Sequence, residues 1–138
     1  MKRNITADTN TFNMYIDDLT DAIVKCAESK GWNVEGSIKY KEQNTEFEFS
    51  KYSPAGQDFF FSATLSDADI TTLIDDIENY YENYDVDYQT YIWLDSFGHG
   101  MNGAPYRLRD VLEDMEAIER MIGELLDHIK KLKVPEPY

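Results

Sequence analysis

The sequence predicts an α+β fold, one antiparallel three-stranded meander with helices laid on one of its faces, in the order α-β-β-β-α-α-α. Three observations carry that expectation. Apolar spacing is helical from Phe12 to Ala27, switches to alternation between Trp32 and Leu65, and returns to helical spacing from Ile70 onward. The connections between the alternating stretches are short and turn-rich, which makes neighbouring strands antiparallel. A final stripe of apolar residues from Leu108 to Leu132 must be covered by something.

Residues 1–8 read as a loose N-terminus. Phe12, Tyr15, Ile16, Leu19, Ile23, Cys26 and Ala27 then mark one face of a first helix, capped at Asn10 or Thr11 and ended by Gly31. Asp17, Asp18 and Asp21 fall mostly on its wet side. Trp32, Val34, Gly36, Ile38 and Tyr40 alternate with polar residues in a first strand, and Glu42-Gln43-Asn44 turns the chain. Phe47 and Phe49 point inward from a second strand that ends at Tyr52. Ser53-Pro54-Ala55-Gly56 is a turn by its proline and glycine. Phe59, Phe61, Ala63 and Leu65 form the inward face of a third strand, leaving the sheet with one polar face.

Ser66 is a good N-cap for the next helix, with Asp67 and Asp69 in its first turn. Its buried stripe is Ile70, Leu73, Ile74, Ile77, Tyr81 and Tyr84. Tyr88, Tyr91, Ile92 and Leu94 fit a short helix from Asp85 or Asp87 to about Asp95, and fit a strand equally. Phe97 to Pro105 is a glycine-rich loop, since three glycines and a proline break regular structure. The last helix spans 106–133, its stripe made of Leu108, Val111, Leu112, Met115, Ile118, Ile122, Leu125, Ile129 and Leu132. That stripe permits a coiled-coil seam and hence a homodimer, but its width and bulky Met115 and Met121 favour packing inside the domain.

The chain of 138 residues fits a single domain, 1–138, and with 42% apolar and 14% aromatic residues it can bury a core despite a net charge of −14. A lone cysteine, Cys26, rules out an internal disulfide and fits a reducing, cytoplasmic location. No signal peptide is expected, and no run of roughly 18 apolar residues stands in the sequence.

The charge is local. Between Ser66 and Asp95 stand nine carboxylates and no lysine or arginine, interleaved with Tyr80, Tyr81, Tyr84, Tyr88, Tyr91 and Trp93. Asp75, Glu78 and Glu82 share one helix face at spacings that repel. Such a run is either a solvated face that serves solubility or a surface shaped for a basic partner, imitating a file of phosphates about 3.4 Å apart on each DNA strand. On the second reading Asp75, Asp76, Glu78, Glu82, Asp85 and Asp87 are the contact set, with Tyr84 and Trp93, or Tyr80 and Tyr88 where exposed, as aromatic anchors. The partner is then a basic protein surface such as a nuclease or another nucleic-acid-binding protein, not nucleic acid itself and not a membrane.

Signs of catalysis are few. Cys26 on an apolar helix face reads as a buried, inert thiol, and His128 near a helix C-terminus suits the dipole. His99, in the glycine loop, supports a small-enzyme alternative with Asp95 as its acid–base partner, but no nucleophile, metal set or phosphate cradle accompanies it. Asp85-Val86-Asp87-Tyr88-Gln89 begins like a calcium loop and then fails, with Thr90 where glycine is required and Ser96 where glutamate is required. The expectation is a protein without enzymatic activity, metal or other cofactor.

Two stretches carry a resemblance. Phe49-Ser50-Lys51-Tyr52-Ser53-Pro54-Ala55-Gly56-Gln57-Asp58-Phe59 is one. The other runs from Tyr84-Asp85-Val86-Asp87 through Trp93 and Asn102-Gly103-Ala104-Pro105 to Leu112-Glu113-Asp114-Met115-Glu116-Ala117-Ile118. Together, across residues 45–126, they resemble uncharacterised small acidic proteins encoded on mobile elements (plasmids, conjugative elements and prophages) of gut bacteria. The resemblance implies a mobile-element accessory protein. By analogy with small acidic proteins of that context, anti-restriction and anti-CRISPR factors among them, it implies a DNA mimic acting through protein–protein interaction.

Overall fold

The computed structural model describes residues 5–95 and 107–136. Its elements are α1 (Ile5–Glu28), β1 (Asn33–Lys39), β2 (Asn44–Tyr52), β3 (Asp58–Ser66), α2 (Ile70–Glu82), α3 (Val86–Asp95) and α4 (Leu108–Lys130), the predicted order. The strands form one antiparallel sheet, β1-β2-β3, with Phe49 opposite both Val34 and Phe61. The expected glycine-rich loop and His99 lie outside the described residues.

Register puts Phe47, Phe49, Phe61, Ala63 and Leu65 on one sheet face, and all are buried. Their rings interlock: Phe49 stacks on Phe61 with centroids 5.3 Å apart, and Trp32 meets both edge-on. Ile16, Leu19 and Ile23 of α1, Leu73 and Ile77 of α2, and Val111, Ile122 and Leu125 of α4 close this face. Burying a ring of this size contributes roughly 2–3 kcal/mol, and edge or offset stacking adds about 1 kcal/mol per pair. The other sheet face, bearing Glu35, Glu46, Glu48, Phe60 and Ser62, is uncovered among the described residues. Most of the α4 stripe is thus buried inside the domain, as its width suggested, while Leu108 at its start stays 61% exposed.

Gly123 sits where α4 crosses α2: a Cβ there would stand 3.0–3.2 Å from the Tyr81 ring. A glycine in mid-helix costs about 1 kcal/mol of helix propensity, which this close approach explains. Gly31, at φ +89°, ends α1 as predicted, taking the left-handed conformation that lets Trp32 N bond back to Ala27 O.

Four boundaries differ from expectation. Helix α1 begins at Ile5, not at Asn10 or Thr11, so residues 5–8 are not part of a loose N-terminus. Neither glycine nor proline interrupts residues 5–11, and backbone bonding can propagate past the end of the apolar stripe. Helix α2 is capped by Asp69, not Ser66. Ser66 stays in β3, its N–H held by Thr72 Oγ1 at 2.8 Å, and Asp67 and Ala68 turn the chain with φ of 55° and 52°. The same helix stops at Glu82, short of Tyr84, because Asn83 Nδ2 donates to Asn79 O and closes the last turn. Finally, α4 is shorter than 106–133, and Leu132 packs on the core from beyond its end.

Candidate interaction surface

Four carboxylates of the 66–95 run, Asp69, Asp76, Glu78 and Asp85, are engaged by neighbouring groups. Asp69 Oδ1 accepts from Thr71 N at 3.0 Å and from the Thr71 hydroxyl at 2.7 Å, and the hydroxyl, then the amide, hold its carboxyl below the usual range. Asp76 Oδ2 accepts from Thr64 N at 2.8 Å, closing part of the outer edge of β3. Asp85 Oδ1 accepts from Tyr88 N at 3.0 Å, which starts α3 as a helix and decides the helix-or-strand question. Glu78 pairs with Lys130 of α4 at 3.3 Å, both side chains more than 40% exposed, so the pair adds little stability.

Three members of the predicted contact set remain unengaged among the described residues. Asp75, Glu82 and Asp87 are exposed and have no ion-pair partner among the described residues. Glu78 and Glu82 line a shallow groove of about 370 Å³ with Arg120 and Lys130, so cations of α4 do reach this end of the row. Asp75 and Asp76 line another with Thr64 and Thr72. The row therefore splits between the α4 side and the β3 side of α2.

The aromatic anchors need correcting. Tyr84 is buried and its hydroxyl donates to Met115 Sδ at 3.4 Å, with burial pushing its ionisation far up. Tyr80 stacks on Phe61 at 4.7 Å. Trp93 is half-buried and lines a cavity of about 390 Å³ with Phe59, Tyr84, Ile92, Met115 and Ile118. Within this run the rings that face solvent are Tyr88 and Tyr91, 59% and 69% exposed. Tyr84 was legible as buried from its place in the α2 stripe; Tyr91 carried no signal, because α3 has no clear apolar face.

Two groups escaped the sequence reading. Glu35 and Glu48 stand directly opposite one another on the open sheet face, a like-charge pair that only the register reveals. Asp114, a buried carboxylate of α4, accepts from Ser53 Oγ at 2.7 Å, from Ala55 N at 3.0 Å and from Gln57 Nε2. Ser53 Oγ in turn accepts from Gln57 N at 2.9 Å, and Ser53 N donates to Gln57 O at 2.8 Å. Asp114 thus locks the β2–β3 turn onto α4, joining the Ser53–Gln57 and Leu112–Ile118 stretches that carried the resemblance.

Cys26 is half-buried, its thiol 3.7 Å from His128 O, and burial raises it against ionisation. Its alkylation by iodoacetamide near pH 8 is expected to run about tenfold slower in the native protein than in the urea-unfolded chain; equal rates would mean an open thiol. Among the described residues no group of three or more histidine, cysteine, aspartate or glutamate side chains is placed to hold a metal ion, and no helix is long and apolar enough to cross a membrane. Comparison with protein-family models, with curated proteins and with solved structures gives no match.

Proposed function

We propose that this chain is a non-enzymatic acidic interaction protein of the mobile-element type, which occupies the basic nucleic-acid groove of a partner protein in the manner of an anti-restriction or anti-CRISPR factor. One observation carries the reading: nine carboxylates without a single lysine or arginine over 66–95, with Asp75, Glu82 and Asp87 left outward beside the exposed rings of Tyr88 and Tyr91. A groove evolved for phosphates attracts such a flank over a Debye length, about 10 Å at 0.1 M salt, and the rings supply the apolar contact that charge alone lacks. The acids used for caps and edge closure, Asp69, Asp76 and Asp85, still contribute to the field while serving the fold.

The test is calorimetric titration against a panel of basic nucleases, each with its DNA or RNA as competitor. Binding should exclude the nucleic acid and weaken steeply from 50 to 500 mM salt. The double reversal Glu82→Lys with Asp87→Lys is expected to weaken it at least about tenfold without changing the unfolding midpoint. Binding that ignores salt, or that leaves the nucleic acid in place, would overturn the reading.

A further inference from the structure

The two edges of the sheet are treated differently. The outer edge of β3 is closed by side chains of the helix beside it: Thr64 N donates to Asp76 and Ser66 N to Thr72 Oγ1, each at 2.8 Å. The outer edge of β1 has no such closure and no strand beside it among the described residues. Seven residues long, β1 carries no proline, and its one lysine, Lys39, stands at its end and is engaged by Glu46 at 3.0 Å. Those are the devices by which proteins ordinarily blunt a free edge.

We propose that this edge accepts an extended basic segment of a partner protein as a fourth strand. Backbone pairing supplies the attachment, and the side chains of β1 choose the occupant. On the core side Val34 and Ile38 are only half-buried, so alternate apolar residues of an added strand would continue the core over them. On the open side Glu35 faces Glu48 across the ladder, and both are exposed without a cationic partner among the described residues. A lysine or arginine directly beside Glu35, about 5 Å away on the same face, relieves that repulsion and extends its stem toward Glu48. The segment that fits alternates basic with β-branched apolar residues. A second copy of this chain fits poorly, since it would bring another −14 of charge and its own Glu35 to the seam. This surface lies across the sheet from the α2–α3 flank and stands or falls separately from it.

The probe is a synthetic peptide in which lysine and valine alternate over the length of β1. It should bind and slow amide exchange along Asn33–Lys39. The same peptide with every amide N-methylated keeps its charge but cannot pair, and should not bind. Glu35→Gln with Glu48→Gln, which removes a repulsion and so leaves folding intact, should weaken binding about tenfold. Equal binding by the methylated peptide, protection appearing on residues 75–92 instead, or a concentration-dependent dimer that protects β1 without peptide would each overturn the proposal.

Discussion

Asp114→Ala is expected to lower stability by about 3 kcal/mol, since a buried carboxylate that leaves three donors behind costs far more than one surface bond. The donors are Ser53 Oγ–H, Ala55 N–H and the Gln57 amide. Part of the loss is recovered because Pro54, Ala55 and Gly56 are exposed and water can reach the turn. Urea unfolding followed by circular dichroism measures the total, and a domain of this size should lose roughly 10 °C of melting temperature. Amide exchange locates it: Ala55 and Gln57 should speed up while the α1–β1 region stays protected. Asp114→Asn keeps the shape but turns one acceptor into a donor facing donors, and should cost about half as much. Ser53→Ala alone should cost about 1 kcal/mol and clearly less in the Asp114→Ala background, a coupling that unconnected residues do not show. Additive costs would mean that the turn and α4 are independent.

Leu125→Glu is expected to abolish folding. Leu125 is fully buried on α4, in the core cluster shared by the helices and the sheet. A carboxylate there loses the transfer energy of the leucine, about 2–3 kcal/mol, and adds several kcal/mol for an unpaired buried charge. The sum approaches or exceeds the 5–15 kcal/mol that a typical domain has in total. Leu125→Ala should remain folded but lose roughly 2–5 kcal/mol, and Leu125→Met less than about 1.5 kcal/mol. Sedimentation beside the unfolding curves separates this from the other reading of the α4 stripe. If the wild type were a dimer and Leu125→Glu a folded monomer, the stripe would be a seam between copies and the packing described above would be wrong.

Most of the fold was legible because its signals are one-dimensional. The change from helical to alternating spacing at Trp32, the turn at Ser53–Gly56 and the stripe ended by Pro135 each depend on neighbours a few residues away. Local sequence places the cap of α2 at Ser66, three residues before Asp69, because serine and aspartate cap equally well. Pairing of Ser66 with Asn44 across the sheet, as the last residue of β3, decided against it. Long-range packing likewise gave the buried Tyr84 its partner, Met115, and left Tyr91 in water, though both stand in one acidic, tyrosine-rich run.

The candidate surface shows the division most clearly. Net charge, its concentration between Ser66 and Asp95, and the absence of cations there are properties of composition, and no fold can alter them. Which acids face outward is a property of space. Asp76 is taken by a backbone amide of β3, Asp85 by the first turn of α3, and Glu78 by a lysine from a helix some fifty residues on, whereas Asp75, Glu82 and Asp87 are left to solvent. The opposition of Glu35 and Glu48, the open edge of β1 and the burial of Asp114 likewise exist only once strands are in register and α4 has docked. Local patterns dictate which elements form, because hydrogen bonds and side-chain periodicity act within a few residues; packing dictates what each polar group meets, because a buried donor or acceptor must find its partner wherever in the chain that partner lies.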